Sequence, residues 1–158
     1  MQNAEQVVKV IYSENYDIEK WGYLQPSTDG SAGYDMRACI DEPVVVLPGE
    51  SVLIDLGIKI HIGDVRYAAI LLPRSGLGFK GLVLGNLVGL IDSDYQGNVK
   101  AAMWNRKHSS GTKDEFTINP GDKVGQMVFI PVMHPRFQQV ESFEETVRGS
   151  NGFGHTGV

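Results

Sequence analysis

Cysteine is nearly absent: Cys39 is the one thiol among 158 residues, so no intrachain disulfide framework holds the fold. Long apolar runs are missing as well, and no stretch approaches the roughly 18 uninterrupted apolar residues of a membrane-spanning helix. Basic residues are the minority, 14 against 19 acidic ones, and the formal charge of -5 disfavours nonspecific binding to a polyanion such as duplex nucleic acid. A small phosphorylated ligand stays open, since a few local cations suffice. His61, His108, His134 and His155 are scattered, with no Cys/His pairing at zinc spacing, and read as surface or turn residues. Residues 1–20 lack the basic start and apolar stretch of a signal peptide. The expectation is an intracellular, cytoplasmic protein, in a host's cytoplasm if viral, with no nucleic-acid or membrane partner.

What is present is β-rich. With 42% hydrophobic residues the chain has material for one cored domain and is too short for two, so 1–158 reads as a single unit with a mobile N-terminus at 1–5. Short β-branched runs at 7–12, 44–46, 52–62, 67–72, 99–104, 116–118 and 124–132 predict strands, as in a sandwich, barrel or jelly roll. Pro48-Gly49 and Pro120-Gly121 place proline and glycine at the central positions of type II turns. Little helix is expected; the candidates are a turn or two at 75–80 and the acidic stretch 141–146. Residues 146–158 carry too much glycine and too little apolar mass for core and read as a flexible arm.

Three constellations can carry chemistry. Pro73-Arg74-Ser75-Gly76-Leu77-Gly78 joins a cation, a hydroxyl and closely approachable glycine amides, which suits phosphate oxygens; an ordinary turn is the alternative. Gly76, Gly78 and Gly81 satisfy G-x-G-x-x-G literally, but the strand-like, glycine-broken stretch from Leu82 argues against a dinucleotide fold, and no lysine follows Gly81 to make a phosphate-binding P-loop. In the second, Gly89 to Gly97, two carboxylates and a phenol follow an apolar run. Asp92 can orient or deprotonate a water, whereas Asp94, two residues on, need not pair with it; the alternative is a solvated turn. Tyr95 can pack flat on a sugar or sit half-buried in a sheet. The third is the tail, where Arg148 and Phe153 straddle glycines: a lid over a nucleotide, or a disordered terminus. No G-x-S-x-G elbow supports a Ser-His-Asp triad.

Taken in order, these segments resemble one family. The matching stretches are Ala-Gly-Tyr-Asp-Met-Arg-Ala at 32–38, then 73–78, Gly-Asn-Leu-Val-Gly-Leu-Ile-Asp-Ser-Asp-Tyr-Gln-Gly at 85–97, 120–129 and 148–157. Together they resemble the homotrimeric dUTP pyrophosphatases, or dUTPases. The resemblance implies an all-β, distorted jelly-roll (β-clip) subunit in a homotrimer, with active sites shared between subunits and an arm that crosses to a neighbour. It implies hydrolysis of dUTP to dUMP and pyrophosphate, which limits uracil incorporation into DNA and supplies dUMP for dTMP synthesis. Carried over residue by residue, Asp92 holds the attacking water, and Asn86 with the hairpin backbone through Leu90 and Ile91 reads uracil. Tyr95 packs under deoxyribose, and Arg74, Ser75, Gly76 and Gln126 hold phosphates, with Lys100 a further substrate contact. From the arm, Phe153 stacks on the base, and Arg148, Gly154, His155 and Thr156 close over the substrate. Mg²⁺ is the implied cofactor, held by the triphosphate, with Asp35 touching it through water and no direct protein ligand.

The chain departs from the family pattern where Lys123 and Gly125 replace the usual arginine and alanine of the fourth motif. The stretch between Ser75 and Asn86 is about one residue short of close bacterial relatives, and 107–115 is longer. A dCTP deaminase of the same fold and an inactive nucleotide-binding regulatory module are the rival readings. The uracil hairpin and glycine-rich arm favour dUTP hydrolysis over the first, and Asp92, Tyr95, Arg74 and Phe153 argue against the second.

Overall fold

The structure, a computed structural model, describes residues 6–108 and 114–150. Along the chain run β1 (Lys9–Tyr12), α1 (Ile18–Trp21), β2 (Tyr34–Arg37), β3 (Val44–Val46), β4 (Ser51–His61) and β5 (Tyr67–Pro73). They are followed by α2 (Ser75–Lys80), β6 (Leu82–Leu84), β7 (Gly89–Ile91), β8 (Asn98–Asn105), β9 (Phe116–Ile118) and β10 (Lys123–Pro131). Two four-stranded sheets, ordered β1-β4-β8-β6 and β2-β10-β5-β7, enclose the core, and β3 pairs with β9 alongside. Every pairing is antiparallel. This is the jelly-roll-like sandwich expected from many short strands. Among the described residues, no helix is long and apolar enough to cross a membrane.

Alternation builds the core. On β4, Ile54, Leu56, Ile58 and Ile60 point inward, and on β8 Val99, Ala101 and Met103 do the same. The second sheet contributes Met36, Leu71, Ile91 and Met127. Each such side chain removed from water contributes about 1.5–3 kcal/mol, enough to hold the strand ends beside the sites in fixed places. Both Pro-Gly pairs form the expected turns: Glu50 N–H donates to Leu47 O at 3.0 Å and Asp122 N–H to Asn119 O at 3.1 Å. Gly49 and Gly121 take φ of +83° and +86°, the position a type II turn reserves for glycine. Asn105, the buried polar side chain among the described residues, donates to Val46 O and Asp114 O and ties β8 to β3 and the loop ahead of β9.

Several expectations need correction. The acidic stretch 141–146 is not helical; it is exposed and lacks the apolar stripe that stabilises a short helix. A helical turn forms instead at α1, where Asp17 accepts from Lys20 N–H at 2.9 Å and Gly22 ends the turn at φ +74°. The 85–91 segment is not a paired hairpin: β6 joins the first sheet and β7 the second, so the chain between them crosses from sheet to sheet. The run 7–12 shortens to β1, the strand-like stretch from Leu82 is β6, and β2 and β7 are strands that hydrophobic patterning did not pick out.

Candidate functional site

Register builds a polar row on the second sheet. β10 sits between β2 and β5 and pairs Gln126 with Asp35 on one side and Leu72 on the other. Residues far apart in sequence thereby line one cleft of about 420 Å³, among them Ser27, Ser31, Asp35, Arg74, Ser75 and Gln126. Asp35 organises it. Its carboxylate accepts from Lys123 Nζ at 2.6 Å and from Ser27 Oγ at 3.2 Å, and forms an ion pair with Arg74, whose Nε lies 3.1 Å away. Burial resists ionisation of Asp35, yet the Lys123 hydrogen bond and the charges of Arg74 and Lys123, helped by Ser27, outweigh it and hold the carboxyl below its ordinary 3.8. Gln126 Nε2 donates to Pro73 O at 3.1 Å, and a Cβ at Gly33 would stand 3.0 Å from Gln126 Oε1, so glycine there gives the amide its place.

The sequence PRSG ends β5 and opens α2. Arg74 is the extended N-cap, and the first helical bond is Gly78 N–H to Arg74 O at 2.8 Å. The N–H groups of Ser75 and Gly76 therefore have no partner inside the helix. Around Gly76 a Cβ would meet nothing within 4 Å, so the backbone lies open to an approaching anion. Arg74, the Ser75 hydroxyl and these amides form an arrangement suited to phosphate oxygens.

A second cleft, of about 540 Å³, lies at the β7 edge of the sandwich and is lined by Leu71, Asn86, Gly89, Leu90, Ile91, Asp92, Tyr95, Asn98, Val99 and Lys100. Its crossing loop is tightly held. Val88 N–H donates to Asn86 O at 2.7 Å around Leu87, a non-glycine residue at φ +65° whose backbone stores strain. Gly89 lets the loop close on β5, since a Cβ there would be 3.1 Å from Leu71 Cβ. Beyond β7 the chain turns, with Tyr95 N–H donating to Asp92 O at 3.2 Å. Asp92-Ser93-Asp94 is thus both a turn and, through Asp92, part of the cleft wall. Asp94 lines a neighbouring depression instead. The Tyr95 ring folds over Gly97 and its hydroxyl donates to Asn98 O at 3.0 Å.

The two clefts share no lining residue. Leu71 lines the second and its neighbour Leu72 the first, and successive strand residues point to opposite faces. One chain therefore gathers Arg74, Ser75, Gln126 and Asp35 in one place and Asp92, Asn86, Leu90, Ile91, Tyr95 and Lys100 in another. Gly76 sits in α2 next to Ser75. Arg148 lines neither cleft; it precedes Gly149, whose N–H closes a turn on Thr146 O at 3.1 Å. Phe153, Gly154, His155 and Thr156 lie outside the described residues, as do 1–5 and 109–113. Ser27, Ser31, Asn98 and Asp55 are site-lining or supporting residues that sequence reasoning missed. The polar turn run Ser-Thr-Asp-Gly-Ser ahead of Gly33 was the signal for the first two; the other two had none, because only strand register brings them in.

Among the described residues no three His, Cys, Asp or Glu side chains cluster as a metal cage. A lone, cation-paired Asp35 beside a phosphate-shaped cleft fits an ion whose ligands come mainly from a bound polyphosphate.

A β-sandwich with one cleft suited to phosphate oxygens and a separate aromatic-and-carboxylate cleft has the groups of a nucleotide-handling protein. The family model described as dUTPase matches residues 19–157, and the chain belongs to that family. The deoxyuridine 5'-triphosphate nucleotidohydrolase of Sodalis glossinidius is 58% identical over 132 residues, covering 83% of this chain and 84% of that one. A variant dUTPase of Staphylococcus bacteriophage 80alpha, solved with dUpNHpp, superposes at a TM-score of 0.84 with 26% identity, covering 98% of this chain and 100% of that one. A dUTPase variant from phage phi11 of S. aureus, described with a structural Mg(II) ion, superposes at 0.75 with 28% identity, covering 88% and 99%.

Proposed function

We propose that this protein hydrolyses dUTP to dUMP and pyrophosphate in the cytoplasm, at sites completed between copies of the chain in a homotrimer. The observation that supports the shared site is the separation of the two clefts, which have no lining residue in common and take neighbouring residues from opposite faces of β5: one chain offers phosphate groups at one and nucleoside groups at the other. Exposed apolar residues at Met133, Phe137, Phe143 and Val147 support an arm that leaves its own subunit.

In this reading Asn86 and the backbone at Leu90 and Ile91 read uracil, and Tyr95 packs under the deoxyribose. The hydroxyl that Tyr95 commits to Asn98 O holds the ring where a ribose 2′-hydroxyl would collide. Arg74, Ser75, Gly76 and Gln126 of a neighbouring copy hold the phosphates, and the arm residues Arg148, Phe153, Gly154, His155 and Thr156 close over base and far phosphate. Lys100 contacts the nucleoside. Asp92 orients a water and takes its proton as the water oxygen bonds to the α-phosphorus; the bond to the α–β bridging oxygen breaks and pyrophosphate departs. Positioning and charge neutralisation supply most of the rate. Asp35 would reach, through water, a Mg²⁺ held by the triphosphate, and the ion would supply neutralisation of phosphate charge. A backbone pattern complementary to uracil leaves cytosine mismatched, worth on the order of 10⁴ in discrimination. Thymine differs by a methyl worth only about 1–3 kcal/mol in a soft pocket, so the strained loop at Leu87 and the packed Leu71 serve as a rigid wall.

The test is pyrophosphate release by purified protein with Mg²⁺ across dUTP, dTTP, dCTP and UTP. Strong release from dUTP alone is expected. No release from dUTP defeats the proposal, and ammonia release from dCTP replaces it with a deaminase.

A further inference from the structure

The nucleoside cleft has a supporting layer beneath Lys100 and Asn98. β4 and β8 pair Asp55 with Lys100 and then Lys59 with Asn98, so Leu56, Gly57 and Ile58 stand opposite Val99 alone. A bulge absorbs the surplus. Gly57 makes it possible at φ +67°, in a spot where a Cβ would lie 2.5 Å from Cys39 Sγ. Asp55 closes the bulge with Oδ1, which accepts Gly57 N–H at 2.8 Å. Its other oxygen accepts from Asn98 Nδ2 at 3.1 Å and lies 3.9 Å from Lys100 Nζ. Both of those partners line the cleft with Asp92 and Tyr95.

We propose that Asp55 is a positioning residue for the nucleoside half-site, which touches no nucleotide itself but keeps the Lys100 ammonium and the Asn98 amide on the cleft wall, where Lys100 donates to an oxygen of the bound nucleoside. The proposal rests on the dUTP reading above. Stability does not account for the charge of Asp55. Side-chain exposures of 45% for Lys100 and 30% for Asp55 make the ion pair worth little to folding, and a neutral asparagine oxygen would close the bulge equally well. Pre-ordering is what the negative charge adds: a lysine already held by a carboxylate loses fewer rotamers when the ligand arrives.

The experiment compares wild type, Asp55→Asn, Lys100→Met and the double variant, all full-length. It reads dUMP affinity by calorimetry, KM and kcat for dUTP with Mg²⁺, and Tm. Asp55→Asn is expected to keep Tm, to weaken dUMP binding and raise KM about three- to fivefold, and to leave kcat within about twofold. Lys100→Met should produce a rise at least as large, and in its background the loss from Asp55→Asn should shrink to the part carried by Asn98. Unchanged dUMP affinity in either single variant overturns the proposal. So does a loss from Asp55→Asn that is equally large without Lys100, which removes Lys100 from what Asp55 positions. A wild-type protein inert toward dUTP defeats the underlying reading; an active wild type with uncoupled variants defeats only the positioning role.

Discussion

Asp35 is held between two cations, and its titration follows from that. A carboxyl held below its ordinary 3.8 contributes its full share above the unfolded value and loses it as pH falls through the lower folded value. Between about pH 5 and 8 Asp35 therefore keeps its charge. Asp35→Asn is expected to raise KM for dUTP while leaving the shape of the pH–rate profile above about pH 5 as in wild type; a profile whose acid limb moves would show that Asp35 titrates in that range. Lys123 stands where the family pattern has arginine, and it makes a short single contact to Asp35 where a guanidinium could fork. At Asp92, substitution by asparagine keeps size and hydrogen bonding but removes the base. Nucleotide binding should persist in calorimetry while kcat falls by about 10²–10⁴, and turnover equal to wild type would remove Asp92 from the catalytic role.

Among the elements, the turn leading into β8 gives the sharpest expectation. Because the Tyr95 ring lies over Gly97, any side chain at 97 displaces it. Gly97→Ala should erode the preference for dUTP over UTP, read as the ratio of kcat/KM values, more than it lowers Tm; an unchanged ratio would mean that Tyr95 does not gauge the sugar. How much of this was legible depends on what each strand carries. β4, β5, β8 and β10 alternate or run apolar and are plain in the sequence. β2 reads Tyr-Asp-Met-Arg, and its outward Asp35 and Arg37 hide the one fully buried residue, Met36, from a hydrophobicity pattern. β6 and β7 are three residues each, too short for any period to emerge, and their separation into two sheets is a long-range fact. The site motifs themselves were visible as residue types, whereas the contacts of Asp55 and Asn98 depend on register and could not be.

For the whole molecule, the split clefts make a quantitative expectation. Asp92→Asn and Arg74→Ala variants, each inactive alone, should regain about one quarter of wild-type activity after subunit exchange at equal amounts, since in the proposed homotrimer a site needs one intact donor of each half from different copies. No recovery would place both halves within one chain or forbid exchange, which labelled-subunit mixing tells apart. Cohesion away from the site leans on Asn105: Asn105→Ala removes its bonds to Val46 O, Asp114 O and Lys107 N–H and should cost about 1–3 kcal/mol in urea unfolding at fixed protein concentration.

The neighbouring pair Leu71 and Leu72 also sets how this chain can vary in length. One residue inserted into or deleted from β5 would turn every later side chain of the strand over, sending a core leucine outward and a cleft residue into the interior. Point changes along β5 are graded in their effect, but its residue count is not free to drift. Insertions belong in the loops, where no strand register has to be kept.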